Sequence, residues 1–239
     1  MTAEYIRSVQ GRWGKVHFIE KDEYIGKSLY HYGEYVPDET ELLLSLAQKA
    51  GKDGLILDIG ANIGVMAQAL AFNGYRVEAF EPQPAVYEIL KMNFGGKCHN
   101  VAAGRKHGTT VMPVVSYNQA NNFGALQCGL RSPLGSFVVQ VIPIDSLAYT
   151  DVGLMKIDVE GYEEEVLRGA RKTIARCNPI IYLEDDRPKK SAGLHRYLKK
   201  LGYRWERHTP PLFRRANFFG NKKNVWNVNY VSQNLLCYK

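Results

Sequence analysis

Apolar and polar positions alternate along this chain in a way that sets out its elements before any chemistry is considered. From Pro37 to Gly51 the residues Leu42, Leu43, Leu44, Leu46 and Ala47 fall on and around one helical face. They predict an amphipathic helix that starts near Pro37-Asp38, with Asp38 as its cap, and stops at Gly51. Next, Leu55-Ile56-Leu57-Asp58-Ile59-Gly60 is apolar apart from Asp58 and bounded by glycines, the pattern of a strand buried on both faces. Ile63–Phe72 reads as helix and ends at Asn73-Gly74, residues that accept a left-handed backbone. Arg76–Phe80 then predicts a strand and Pro84–Asn93 a helix. Strand, helix, strand, helix at this pitch requires right-handed crossovers, so the expected fold class is α/β with a mostly parallel sheet.

Elsewhere the pattern is shorter. Lys15–Ile19 and Tyr24–Leu29 read as a small β element ahead of the first helix. Further strands are expected at Val111–Val115, Phe137–Ile142, Leu154–Ile157, Ile180–Leu183 and Tyr230–Leu236, and helices at Tyr162–Ala175 and Ala192–Leu201. With no repeat, low-complexity tract or break in composition, the 239 residues are expected to form one domain: an N-terminal β element and helix over 1–52, and the core over 53–239.

Composition narrows the class. Apolar residues make up 45% and charged residues 23% of the chain, which excludes a disordered or fibrous protein. Cys98, Cys128, Cys177 and Cys237 form no CxxC pair and no Cys/His cluster at zinc-ligand spacing, so neither a zinc site nor a disulfide framework is expected. A reducing, cytoplasmic setting fits that cysteine usage. The N-terminus lacks an apolar leader core, and the charge-free stretch Gly108–Leu130 is broken by Asn118, Gln119, Asn121, Asn122 and Gln127, so no membrane span is expected.

The net charge of +7 is concentrated. Between Arg187 and Lys223 stand 12 Lys or Arg and one acid, Glu206, giving +11 there and −4 elsewhere. Such a segment is either a solvated basic face or the contact for an anionic partner: nucleic acid, phosphate or a membrane surface.

The strongest chemical signal is Asp58-Ile59-Gly60-Ala61-Asn62-Ile63-Gly64, placed where a strand turns into a helix, the ligand-binding position of doubly wound sheets. A dinucleotide fingerprint needs three glycines at fixed offsets to seat a pyrophosphate on the helix N-terminus. Here Asn62 stands in place of the middle glycine and the next glycine comes two residues later, which argues against NAD or FAD. The spacing suits a cofactor without phosphates that passes close over the backbone, and Asn readily takes a positive φ. Glu81, in Phe80-Glu81-Pro82, lies 23 residues after Asp58 at the end of the next strand, placed either to accept both hydroxyls of a ribose or simply to cap a turn.

Together with these motifs, NVAAG at 100–104, the NFG of Asn122–Gly124, IDSL at 144–147, MKIDVEGYEEEVLRGA at 155–170, SLYHYGEY at 28–35 and the closing NFFGN…NVNYVSQNLLC give the chain a resemblance to the FkbM family of S-adenosylmethionine-dependent methyltransferases. It runs from about residue 12 onward. The resemblance implies a class I, Rossmann-like fold: a seven-stranded, mostly parallel sheet with an antiparallel last strand and helices on both faces. It implies S-adenosylmethionine as cofactor, with Asp58, Gly60 and Asn62 around its methionine part, Gly64 as a further cofactor-binding residue, Glu81 on the ribose and Ala102 or Ala103 near the adenine. Asn100 is open between that site and a plain turn.

Methyl transfer to a hydroxyl needs an acceptor aligned with the S–CH₃ axis and a place for the proton. Lys156, Asp158 and Glu160 alternate at the end of the strand Leu154–Ile157 and would share one face if the strand continued. Asp158 is the first candidate for base or acceptor-positioning group. Lys156 would either hold its charge or keep a substrate oxyanion close, and Glu160 and Glu184 are the second and third carboxylates. Clustered carboxylates also suit a divalent cation, with Asp185 as a further ligand, but this is the less favoured reading and no residue is assigned to a metal. Glu163, Glu164 and Glu165 are expected to form a solvated first helical turn.

Among the remaining residues, His31, Asn122 and Phe218 are the substrate-binding candidates, with Trp205, Trp226, Phe213 and Phe219 as other aromatics for an acceptor cleft. With the carboxylate cluster, the resemblance implies O-methylation of a small-molecule hydroxyl, with a sugar of a glycan, glycolipid or nucleotide-sugar, including an anionic or phosphate-bearing one, as the expected acceptor. A nucleic-acid ribose 2′-O-methyltransferase is the alternative, since Lys156, Asp158 and Glu184 superficially match a Lys-Asp-Glu group. An inactive binding module is the third reading.

Overall fold

The structure is a computed structural model that describes residues 4–51 and 53–239. Its central element is β3 (Leu55–Ile59), all five residues of which are buried. It is flanked on one side by β4 (Val77–Phe80) and β5 (Lys97–His99), and on the other by β9 (Val152–Ile157) and β10 (Ile180–Glu184), all parallel. The last strand, β12 (Asn234–Tyr238), inserts between β10 and β11 (Arg204–His208) and runs antiparallel to both. The seven-stranded order is β11-β12-β10-β9-β3-β4-β5. The chain leaves β3 toward β4 and later returns to β9 on the opposite side, which makes the β3/β9 boundary a topological switch point.

Helices cover both faces. Leu57, Ile59, Met155 and Ile157 pack into one core with Val166, Leu167 and Ile174 from α5 (Glu163–Gly169) and α6 (Arg171–Cys177), and with Leu194 and Leu198 from α7 (Pro188–Lys200). Ile56, Ala79, Leu154 and Tyr182 face the other core, with Leu43 and Leu46 from α2 (Pro37–Ala50), Ala67 and Leu70 from α3 (Val65–Phe72) and Leu90 from α4 (Pro84–Asn93). A three-stranded sheet of β6 (Ala102–Ala103), β7 (Gly108–Pro113) and β8 (Ser136–Ile142) stands beside the main one. The hairpin β1 (Ile6–Gly11) and β2 (Gly14–Ile19) closes the N-terminal side.

Several boundaries differ from the sequence pattern, each for a local reason. Tyr24–Leu29 is not a strand but part of α1 (Ile25–Tyr32): Leu29 and Tyr32 bury one helical face, and Asp22 accepts the N–H groups of Tyr24 and Gly26 at its start. α2 begins as expected, yet Asp38 does not cap it; Val36 takes the cap in a left-handed conformation, and Asp38 pairs with Arg214 at 2.8 Å. The stretch 162–175 is two helices, not one. Gly169 lies so close to Gly104 that a Cβ would meet its carbonyl at 1.9 Å, and Asp145 caps a fresh start by accepting from Lys172 and Thr173 N–H. α7 starts at Pro188, one turn before Ala192.

The final strand starts at Asn234, not Tyr230, so residues 209–233 form a long irregular strap. It is tied to the N-terminal helices by Phe219 N–H donating to Tyr32 O (3.1 Å), by Tyr32 OH donating to Lys223 O (2.9 Å), and by ion pairs of Arg214 with Asp38 and Glu41. Among the described residues no helix is long and apolar enough to cross a membrane.

Candidate active site

A cavity of about 460 Å³ opens at the C-terminal ends of the parallel strands, within the usual range for small-molecule sites. Its wall crosses the sheet from the residues after β3 and β4 (Gly60–Ile63, Phe80–Gln83) to those after β9 and β10 (Asp158–Glu160, Glu184) and the start of β12 (Asn234). The small sheet, through Ala102, Ala103 and Met112, and the segment Asn122–Cys128 close the β4 end.

At that end the polar groups are set by backbone. Gly60 has φ 79°, and a Cβ there would lie 1.7 Å from the Asp158 carbonyl oxygen, so the turn out of β3 can press against β9 only with glycine. Asn62 follows at φ 50° and its Oδ1 accepts from Ile63 N–H at 2.7 Å. Glu81 is buried and already engaged: Oε2 accepts from Asn62 N–H (3.0 Å) and Oε1 from Gln83 N–H (2.8 Å). Burial pushes its carboxyl up to about 7, against the pull of those two amides. Each oxygen keeps a lone pair for a ligand. Asn100 acts as a turn clamp, donating to Glu81 O and Pro82 O. Gly64 caps α3 at φ 84° and Asp58 is fully buried, so both stand behind the cavity wall rather than in it.

Asp58 reaches the site through Lys156. Strand register sets the two side by side, and Lys156 Nζ lies 3.4 Å from both Asp58 Oδ1 and Asp158 Oδ2. Neither Asp58 oxygen has a well-formed hydrogen bond. Burial raises the Asp58 carboxyl despite the ammonium. Burial alone would depress Lys156, but Asp58, Asp158 and Glu39 outweigh it and leave it above the ordinary lysine range. Lys156 is therefore a buried cation held by carboxylates, with Asp158, 40% exposed, as the partner that faces the cavity.

Glu160 does not continue the strand. It has φ 55°, turning the chain, and its carboxylate pairs with Arg187, which also pairs with Asp186. The turn still returns it to the cluster: one oxygen each of Asp158, Glu160 and Glu184 lie within 4.8 Å of one another. Burial, with Asp158 next, pushes Glu160 up to about 7 and Glu184 up to about 10. Such a set can share a proton or hold an oxygen-ligated divalent cation. Glu163, expected in solvent, is instead buried and accepts from Gly161 N–H at 2.8 Å, fixing the turn. Glu164 pairs with Arg168 as a surface helix pair.

The least legible site residue is Glu39. It is buried on α2, lines the cavity, and accepts from Asn234 Nδ2 at 3.2 Å. The same amide donates to Tyr182 OH (2.8 Å), which bonds His208 Nδ1 (2.8 Å). Burial pushes Glu39 up to about 7. One signal was present: Glu39 shares the buried stripe of Leu43 and Leu46, where a carboxylate is costly without a task. Of the substrate candidates, Asn122 stands in the cavity wall, whereas His31 and Phe218 lie outside it. Asp185, facing away from the cavity, binds His195 and Ser191. Of the twelve basic residues from Arg187 to Lys223, only Arg187 lines the cavity among the described residues.

Sheet order, switch-point cavity and glycine-Asn loop define a class I, Rossmann-like methyltransferase fold. Residues 58–205 match the family model described as the methyltransferase FkbM domain, and the chain belongs to that family. It is 27% identical over 147 residues to the hexuronic acid methyltransferase AglP of Haloferax volcanii, covering 60% of this chain and 61% of that protein. The chain therefore spans somewhat less than two thirds of this relative's length. A crystal structure of methyltransferase FkbM from Methylobacillus flagellatus superposes with a TM-score of 0.51 at 17% identity, over 77% of this chain and 44% of the other. That of precorrin-6y C5,15-methyltransferase from Geobacter metallireducens gives 0.50 at 14% identity, over 84% and 89%.

Proposed function

We propose that the protein is an S-adenosylmethionine-dependent O-methyltransferase acting on a sugar hydroxyl. The observation that carries the reading is the placement of Asp158: paired with buried Lys156, it opens into the same cavity that Glu81, Asn62 and the Gly60 turn line. The β4 end suits the cofactor, with Glu81 toward the ribose, Ala102 and Ala103 beside the adenine, and the Gly60–Asn62 turn along the methionine part. The reacting methyl would then face β9.

On this reading the acceptor hydroxyl sits against Asp158. S-adenosylmethionine held at the β4 end would supply the methyl group to that oxygen and leave as S-adenosylhomocysteine, while the Asp158 carboxylate would take the hydroxyl proton. Lys156 fixes Asp158 and balances Asp58 behind it. Glu39, Glu160 and Glu184, with Asn234 and Arg187, offer further hydrogen-bond acceptors and donors to the neighbouring hydroxyls, the kind of lining a polyol needs. The name of the H. volcanii relative, a hexuronic acid methyltransferase, favours a sugar over a ribose in nucleic acid. The lack of convergence of the basic segment on the cavity points the same way.

The test is a mass-spectrometric screen with S-adenosylmethionine, hexuronate-containing oligosaccharides, nucleotide sugars and short RNAs, each with and without added magnesium. A one-methyl gain on a saccharide is expected. Methylation confined to RNA would refute the sugar reading, and a strict magnesium requirement would assign the Asp158–Glu160–Glu184 cluster to a cation.

A further inference from the structure

Two segments prominent in the sequence, Tyr30-His31-Tyr32-Gly33 and Asn217-Phe218-Phe219-Gly220, are not used by the cavity, yet they meet each other. Phe219 N–H donates to Tyr32 O, Phe218 N–H to buried Glu34 at 2.9 Å, and Asn221 Nδ2 to His31 O at 3.3 Å. The phenyl rings lie against Gly33, where a Cβ would come within 2.6 Å of Phe219. Their backbones are thus fixed while their side chains face out. Tyr30, Phe218, Phe219, Val228 and Val231 are each between 44% and 61% exposed.

The charge that the strap itself brings to these side chains is positive. From Arg207 to Lys239 the chain contains no Asp or Glu. Arg214 is consumed by Asp38 and Glu41, but Lys222 and Lys223 are exposed and form no ion pair among the described residues. Lys27 and Lys223 both flank His31 and, after burial, help to lower its pKa. Glu23 is the exposed acid nearby, at the Trp226 end, where Trp226 Nε1 donates to its carbonyl. An exposed set of phenyl, tyrosyl and valyl side chains rimmed by lysines has the composition of an interfacial membrane anchor. The exposed valines favour a lipid surface over a single-stranded RNA platform, whose bases are held chiefly by aromatic stacking.

We propose that this face of the strap is a docking surface for an anionic lipid bilayer. Tyr230 and Val231 belong both to the exposed strap and to the cavity wall, so docking would turn the cavity rim toward the membrane. If the sugar reading holds, an acceptor carried on a lipid would enter from that side. The docking itself does not depend on that reading.

The test is co-sedimentation of the full chain with phosphatidylcholine vesicles and with vesicles containing phosphatidylglycerol as well. Binding is expected to the anionic vesicles only, and to fall with added salt. The double variant Lys222→Gln/Lys223→Gln should weaken partitioning about 30-fold, and Phe219→Ser should weaken it further, both with an unchanged thermal midpoint. Should Phe219→Ser unfold the strap, the lysine variant alone decides. Absence of binding to anionic vesicles at low salt, or binding untouched by the lysine variant, would overturn the proposal. So would an RNA oligonucleotide that binds through the same lysines while vesicles do not. Because vesicle binding is read without methyl transfer, its failure would leave the acceptor reading standing.

Discussion

The two ends of the cavity are built on opposite principles. At the β4 end one contiguous run, Gly60–Gly64, supplies the turn, and Glu81 is tied to it by two backbone amides before any ligand arrives. At the β12 end Glu39, Asp158, Glu160, Glu184 and Asn234 come from four separate stretches, and burial, with the Asp158 charge adding to it, pushes Glu39 and Glu160 up to about 7 and Glu184 to about 10. Glu184 Oε2 and Asp186 Oδ1 are buried without a hydrogen-bond partner. A preorganised end suits a cofactor that is the same in every turnover. A crowded, partly unsatisfied end leaves polar groups free for a ligand, and on the proposed reading a polyhydroxylated acceptor would satisfy them.

The difference can be probed by substitution. The largest effect is expected at the seam between the two ends. Gly60→Ala would force a Cβ into the Asp158 carbonyl and strain a positive φ, costing more than about 4 kcal/mol, seen as a collapse of the thermal midpoint. Asp158→Asn should leave cofactor affinity nearly intact while turnover drops roughly 10²–10⁴-fold; a fully active variant would remove Asp158 from the chemistry. Glu81→Ala should do the reverse, weakening cofactor binding in a calorimetric titration by about 1.5–3 kcal/mol, with the acceptor KM little changed.

The smallest effect concerns pH. Glu39 and Glu81 have folded-state pKa values near 7, above the ordinary 4.5, so the native state holds protons that the unfolded chain has lost. Their stabilisation is complete below about pH 4.5 and disappears as pH rises through 7, by roughly 3 kcal/mol each. Thermal midpoints of the cofactor-free protein should accordingly decline across that window, and Glu39→Gln should flatten the decline. A midpoint that climbs from pH 5 to 8 in both proteins would contradict this charge balance.

The same contrast explains what could be read in the sequence. The β3-turn-α3 motif, Glu81 and the Lys156/Asp158 alternation are local, and strand register then places Asp58 beside Lys156. The parallel sheet followed from the apolar runs that form β3, β4, β9 and β10. What escaped depends on distant partners. Glu39 is a polar residue on an apolar stripe until Asn234, 195 residues away, meets it. α1 looked extended because its buried face is short and its start is held by Asp22. Tyr230–Val231 had the composition of a strand but lies in the irregular strap at the cavity rim, and β12 begins only where Asn234 pairs with Glu184. The basic segment was visible as a number, but its arginines are divided between ion pairs and an outer surface.

The most direct measurement is a crystal structure of the protein with S-adenosylhomocysteine and a saccharide acceptor. The expected result is the ribose on Glu81, the adenine beside Ala102 and Ala103, the sulfur over the Gly60–Asn62 turn, and a sugar hydroxyl between that sulfur and Asp158. A nucleoside bound at the β12 end, among Glu39, Glu184 and Asn234, would contradict it.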